Sequence, residues 1–275
     1  MSDPFRDKVC VVTGAGSGIG RALALALAKR GASLALSDIN PAGLAETLRL
    51  IDGGTSNRIR TNTLDVADAG AIERYAPLMR ESLGPAGYVF NVAGLSRIGA
   101  FKDTPLSSIE KVMDVNYWGV VRMSKAFLPQ LLETRGGLIN ISSIFGLIAV
   151  PGQSHYCSSK FAVRGFSETL ASELEADGVR VTSVHPGGVA TNIARNAGID
   201  ALPEGAASAA DVAANFDKIA ITSAEKAAEI ILKGAAKGKR RVLIGRDARV
   251  ISFLQRLFPS SYPTCLKLLR GDAVH

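Results

Sequence analysis

Tyr156 and Lys160 are the residues whose types and spacing point most directly to chemistry, and Ser143 stands thirteen residues ahead of the tyrosine. They lie in the run Ser154-His155-Tyr156-Cys157-Ser158-Ser159-Lys160. The stretch 156–176 reads as a helix, with Ser154 placed to cap it, Phe161, Leu170 and Leu174 able to face a core, and Gly178 able to stop it. Four residues apart on a helix, Tyr156 and Lys160 point the same way. An ammonium beside a phenol favours the phenolate, so the tyrosine is expected to titrate below its usual value of about 10. A phenol tuned in that way is a general acid/base for interconverting an alcohol and a ketone. Taken alone, Tyr-x-x-x-Lys is more often two exposed residues sharing a helix face, so its meaning depends on the elements around it.

The first of those elements is a strand, KVCVVT over 8–13, short, apolar and β-branched like a buried parallel strand. It runs into Gly14-Ala15-Gly16-Ser17-Gly18-Ile19-Gly20 and then an Ala/Leu-rich helix ending at Gly31. Strand, glycine turn and helix together form a dinucleotide-binding unit. The glycines let backbone approach a pyrophosphate, and the helix start offers it free N–H groups. The spacing is G-x-x-x-G-x-G, so the generic G-x-G-x-x-G fingerprint is not met. A second strand over 33–37 ends at Asp38. A carboxylate there can accept from both adenosine ribose hydroxyls and repel a 2′-phosphate. The competing role is a turn or helix-capping aspartate ahead of Asn40-Pro41. No Arg or Lys follows at Ile39 or Asn40, so the expected cofactor is NAD(H) rather than NADP(H).

Further on, helices are expected over 41–50 and 69–82 and strands over 58–63 and 87–90. Ala93-Gly94 keeps backbone low where a cofactor crosses the sheet edge. A long helix is expected over 107–132, kinked at Pro129 and containing Asn116. A strand over 137–143 carries Ser142 and Ser143 at its end, another spans 179–185, and a helix over 224–236 precedes a strand over 240–244. The alternation predicts an α/β fold: one doubly wound, Rossmann-like parallel sheet with helices on both faces, in a single domain over 1–275. Ligands bind beyond the carboxyl ends of such strands, where the glycine turn, Gly94, Ser143 and the start of the Tyr156 helix should converge.

Together these motifs resemble the short-chain dehydrogenase/reductase family. They are Thr13-Gly14-x-x-x-Gly18-Ile19-Gly20, Asn91-x-Ala93-Gly94, Asn116, Ser143, Tyr156-x-x-x-Lys160 and Pro186-Gly187-Gly188-Val189-Ala190-Thr191. One departure is Val92, where the family usually has a second Asn. The resemblance implies that Tyr156 passes the hydroxyl proton, that Lys160 holds the nicotinamide ribose, and that Ser143 binds the substrate oxygen. Asn116 would anchor a water that links Lys160 to solvent. Cofactor contacts are implied for Gly14, Ser17, Gly18, Ile19, Gly20, Asp38, Val66, Asn91, Ala93 and Gly94. The same holds for Pro186, Gly187, Val189 and Thr191 around the nicotinamide. Asp65 could bond the adenine amino group or simply close a turn. Family members commonly form homodimers or homotetramers. A 3-oxoacyl reductase is a second enzyme reading, disfavoured by Asp38. A non-catalytic NAD-binding, membrane-recruited scaffold is a third, and a tuned phenol has no use in it.

With 47% hydrophobic and 21% charged residues, the composition is that of an ordinary globular protein. Three scattered cysteines and three histidines give neither a disulfide framework nor a metal-ligand pattern, and fit a reducing cytoplasm. The N-terminal stretch shows no apolar signal core, and no run is long enough to span a bilayer. Over 233–275, ten Lys or Arg face two Asp, a net of +8. No nucleic-acid-binding signature accompanies that charge, so no such partner is expected. Leu95, Ile98, Ile144, Phe145, Leu147 and Val150 flank the motifs, with Arg97 as the main charge, which points to a lipophilic secondary alcohol or ketone. The Ala-rich segment 192–223 reads as a substrate lid. Over 246–275 an amphipathic basic extension places Val250, Ile251, Phe253, Leu254, Leu257 and Phe258 on one helical face, followed by Leu266, Leu268 and Leu269. It could cover the site, pack on another subunit or lie peripherally on a membrane.

Overall fold

The first strand sends Cys10 and Val12 into one core and Val9 and Val11 into another, which is why the whole run is apolar. The computed structural model describes residues 3–51, 58–191, 193, 197–202, 208, 211, 214 and 220–270. Its main sheet has seven strands: β1 (Val9–Thr13), β2 (Ser33–Asp38), β3 (Ile59–Thr63), β4 (Ala86–Asn91), β5 (Gly137–Ile141), β6 (Arg180–Pro186) and β7 (Arg241–Ile244). They lie in the order β3, β2, β1, β4, β5, β6, β7, and every neighbouring pair is parallel. The order reverses between β1 and β4, which opens a crevice at their carboxyl ends.

In chain order the helices are α1 (Gly18–Lys29), α2 (Pro41–Leu50), α3 (Ala69–Leu83), α4 (Leu106–Met113), α5 (Gly119–Thr134), α6 (Ser154–Glu173), α7 (Ala224–Ala236), α8 (Arg246–Leu257) and α9 (Tyr262–Arg270). Leu23, Leu27, Leu44 and Ile231 bring α1, α2 and α7 onto the face that carries Val12, Leu36 and Phe90. Ile72, Met79, Phe127, Leu131 and Ala171 bring α3, α5 and α6 onto the face that carries Val11 and Val89. The doubly wound expectation therefore holds, with both faces dry.

The long helix expected over 107–132 is instead interrupted by a π turn, Asp114–Trp118, between α4 and α5. Pro129 lies within α5, which continues to Thr134, so the break is at Asn116 rather than at the proline. Helix α6 begins at Ser154 itself and ends at Glu173, so Ser154 is its first residue and not its cap. Phe161, expected in the core, is exposed, whereas Leu174 is buried. Strand β5 ends at Ile141, leaving Ser142 and Ser143 just beyond it.

Two short ladders tie down the loops above the sheet. Arg97 and Ile98 pair with Gly198 and Ile199, and Val189 and Ala190 pair with Thr222 and Ser223. The described parts of the expected lid are thus held at both ends, and the rest of 192–223 lies outside the described residues. Helices α8 and α9 pack on the turn after β5. Ala248 is buried against Ile144, Leu147 and Ile148, and Ile251, Tyr262 and Leu266 lie against the same cluster. The Ala149 N–H donates to the Tyr262 hydroxyl at 2.9 Å. The single apolar face expected for α8 is therefore split. Ile251 packs inward, while Val250, Phe253, Leu257 and Phe258 are exposed. The side chains at 267–270, including Leu268 and Leu269, lie outside the described set.

Candidate active site

The glycine turn is built for backbone approach. Gly14 has φ +66°, and a Cβ on it would come within 2.9 Å of the Ala93 backbone. Ser17 precedes α1 and forms no side-chain cap, so the first N–H groups of the helix face outward. The Arg21 guanidinium bonds the Gly16 carbonyl and, at 3.0 Å, the Thr47 hydroxyl, which in turn donates to the Ala15 carbonyl at 2.8 Å. Asp38 accepts from the N–H groups of Gly16 at 2.8 Å and Asn40 at 2.9 Å. Asn40, not Asp38, caps α2 through Gly43. The Asp38 carboxylate therefore stands at the glycine turn. Thr191 packs its methyl against Gly18, closing the turn with a residue distant in sequence.

At β4 the Thr13 hydroxyl accepts from both the Val92 and Ala93 N–H groups at 3.0 Å. This anchors the segment where the family's second Asn is replaced by valine. The Asn91 side chain bonds Asn140 at 2.9 Å and Ser124 at 3.2 Å, so it braces the sheet from within. Val66 is buried beside Gly119, and Asp65 caps its own turn through the Ala67 N–H at 2.9 Å. That contact favours the turn role for Asp65.

The expected catalytic residues do meet. Asn116, fully buried in the π turn, accepts from the Leu95 N–H at 2.8 Å and donates to the Leu95 carbonyl at 2.9 Å and the Ser159 hydroxyl at 3.1 Å. A Cβ on Gly94 would lie 3.1 Å from Asn116 Oδ1 and 3.5 Å from Lys160 Nζ, so three motif residues share one small space. Lys160 Nζ donates to the Ile141 carbonyl at 3.1 Å and lies 5.7 Å from the centre of the Tyr156 ring. The Ser142 hydroxyl donates to the Lys160 carbonyl at 2.8 Å, fixing the lysine's turn of helix to the end of β5. Phe145 packs edge-on to Tyr156, and the Ser143 hydroxyl accepts from the Phe145 N–H at 3.1 Å.

The electrostatics correct one expectation. Burial pushes the Tyr156 phenol up to about 12, with the Ser143 hydroxyl pulling the other way. Burial also brings Lys160 down to about 8. Desolvation of the phenolate dominates, while the ammonium is bonded to a carbonyl and sits over the ring. The resting pair near neutral pH is therefore phenol plus ammonium. His185 has its pKa lowered to about 4 by burial, and its ring nitrogens contact the Ser143 carbonyl and the Ser183 hydroxyl, each at 3.0 Å. It braces the site as a neutral side chain, and nothing in its surroundings asks more of it.

Arg97, expected as the main charge facing substrate, is paired. Its Nε lies 3.0 Å from the Asp200 carboxylate, which also accepts from Ser108 at 2.8 Å. Ile144 and Leu147 are core residues beneath the site, and Phe145 and Val150 are partly open above it. One contributor was missed altogether. Asp247, in the first turn of α8, accepts from the Gly188 N–H at 2.7 Å and supports the Pro186–Thr191 segment. No sequence pattern links it to that loop.

The short chain dehydrogenase family model matches residues 8–202. SadH of Mycobacterium tuberculosis, whose name classes it as an oxidoreductase, is 45% identical over 262 residues, covering 94% of this chain and 93% of that protein. The mitochondrial D-beta-hydroxybutyrate dehydrogenase of Rattus norvegicus is 37% identical over 196 residues, covering 68% of this chain and 56% of that one. Among solved structures, a short chain dehydrogenase/reductase from Burkholderia phymatum in complex with NAD superposes with a TM-score of 0.83 at 26% identity, covering 94% of this chain and 95% of that one. The chain belongs to the short-chain dehydrogenase/reductase family and is an oxidoreductase.

Proposed function

We propose that this enzyme uses NAD to interconvert a lipophilic secondary alcohol and its ketone, with Tyr156 as the acid/base. The observation that carries the reading is the convergence of Ser143, Tyr156, Lys160 and Asn116 beside Gly94 at the carboxyl edge of the sheet. NAD, when bound, supplies the hydride acceptor at its nicotinamide C4 or, reduced, the hydride. Gly14, Ser17, Gly18, Ile19 and Gly20 form the cradle for its phosphates, and Asp38 offers the ribose a carboxylate that disfavours a 2′-phosphate. Tyr156 gives its proton to the ketone oxygen in reduction and receives it in oxidation. Ser143 orients that oxygen, and Lys160 stabilises the phenolate left behind. Asn116 fixes the Leu95 backbone beside the lysine and holds Ser159.

The apolar preference is supported by the closure of Arg97 on Asp200, which removes the expected charge from the substrate side. The wall is then left to Leu95, Phe145 and Val150. A cytoplasmic homodimer or homotetramer is the assembly that suits the family. The single-domain reading of 1–275, with 192–223 as lid and 246–275 as an extension on the 144–150 turn, completes the proposal. The test is NAD⁺ reduction across secondary alcohols from propan-2-ol to steroid size, with NADP⁺ in parallel and 3-hydroxybutyrate as a charged counterpart. Turnover of bulky apolar alcohols with NAD⁺ is expected. Turnover of 3-hydroxybutyrate alone, or preference for NADP⁺, would overturn the substrate or cofactor assignment respectively.

A further inference from the structure

Helix α8 has finished its inward packing and still has an apolar stripe left over. Ala248 and Ile251 seat it on Ile144, Leu147 and Ile148. On its outer side Val250, Phe253 and Leu257, spaced i, i+3 and i+7, are 52%, 62% and 54% exposed, and Phe258 follows at 45%. Arg246 lies in line with Val250 and Phe253, and Arg249 and Arg256, seven residues apart, flank the stripe along one edge. All three arginines are exposed. The helix's single acid, Asp247, is turned inward onto Gly188 and does not offset them.

We propose that α8 lies in the surface of an anionic bilayer, with Val250, Phe253, Leu257 and Phe258 in the acyl boundary and Arg246, Arg249 and Arg256 on the headgroups. An apolar stripe edged by arginines is the pattern of an interfacial helix, since a guanidinium can reach outward while its stem stays on apolar surface. A second copy is a poorer occupant. Across a twofold axis the same patch meets itself, which sets arginines against arginines. Nucleic acid would leave the apolar centre without a partner. No helix among the described residues is long and apolar enough to cross a membrane, so the contact is a surface one. The inner side of α8–α9 holds the 144–150 turn through Ala149 and Tyr262. The seat therefore brings the substrate side to within about one helix diameter, ~10 Å, of the lipid.

The experiment is co-sedimentation of the full chain with vesicles of phosphatidylglycerol and phosphatidylcholine in equal parts, and with phosphatidylcholine alone. F253E/L257E and R249E/R256E are compared with the parent, and NADH binding confirms that each is folded. The parent should pellet with the anionic vesicles at low salt and be released at high salt. Each double variant should lose at least about tenfold in partitioning, because a charge in the apolar stripe or a reversed edge opposes insertion. A parent that stays in the supernatant at low salt would overturn the proposal. So would an F253E/L257E variant that pellets like the parent, since it would mark a charge-only surface. Lipid-independent self-association abolished by F253E/L257E, without vesicle binding, would assign the stripe to a second copy instead.

Discussion

Lys160 Nζ lies over the Tyr156 ring, 5.7 Å from its centre, and is bonded to the carbonyl of Ile141 at 3.1 Å. Burial holds the phenol protonated, at about 12, and leaves the ammonium charged up to about 8. Ketone reduction consumes the phenol proton and alcohol oxidation needs the phenolate. Reduction is therefore expected to be level below about pH 8, while kcat/KM for oxidation climbs about tenfold per pH unit over the same range. Above it, loss of the lysine charge should flatten the oxidation limb and weaken reduction. Initial rates in both directions across the pH range check this, and a level oxidation profile from pH 6 upward contradicts it.

Tyr156→Phe removes the proton that the mechanism moves and keeps the ring against Phe145. Turnover should fall by about 10²–10⁴-fold with NADH affinity kept, as expected for loss of a general acid/base. Fluorescence titration of NADH beside steady-state rates separates the two effects. Undiminished turnover would remove the mechanism.

The carboxylate of Asp38 is shared between the Gly16 and Asn40 N–H groups and the proposed ribose. Asp38→Ala should raise the KM for NAD⁺ and narrow its preference over NADP⁺ by about tenfold or more, since a charged hydrogen-bonding partner and a repulsive charge go together. It should also lower stability by about 1 kcal/mol through the lost backbone bonds. Cofactor kinetics and thermal melts read the two consequences separately.

Arg97 and Asp200 form the ion pair that closes the loop at 198–200 onto the body, and the Asp200 side chain is only 3% exposed. Removing the arginine leaves a nearly buried carboxylate without its partner, so Arg97→Ala should destabilise the fold by about 2 kcal/mol or more. The double variant R97A/D200A should recover part of that loss. With Asp200→Ala completing the cycle, losses that simply add in the double variant would show that the pair is not coupled.

Asp247→Ala takes the acceptor from the Gly188 N–H and should raise the KM for cofactor several-fold more than it lowers kcat. Gly187→Ala acts on the same contact from the other side, since a Cβ there would overlap the Asp247 carboxylate. It should destabilise by about 2–3 kcal/mol. A cofactor KM unchanged in Asp247→Ala would separate the loop from the helix.

Much of the molecule was legible in the sequence because local rules decide it. The glycine turn, the strand before it, and α2 and α7 follow from periodicity, capping and the dryness of a parallel strand, and their limits agree within a residue or two. What was not legible depends on partners distant in sequence. The apolar rhythm of 107–132 runs unbroken through Asp114–Trp118, so nothing local marks the π turn that aims Asn116 at Leu95. The split of the α8 face needed the position of Ile144 and Ile148, and Phe161 looked like core until the neighbours of α6 were known. The tyrosine's titration was misjudged for a related reason. Spacing reveals the lysine but not the desolvation that dominates the phenol.

The support that Asp247 gives to Gly188 carries a consequence for how the chain becomes functional. The glycine turn at 14–20 is synthesised well before Asp247, the acid that holds the Gly188 N–H. A growing chain can thus build the β1 and β2 half and its glycine turn while the Pro186–Thr191 segment is still without its brace. That brace is set only once α8 has docked, so the order of the 186–191 segment reports on the docking of a helix far from it in sequence.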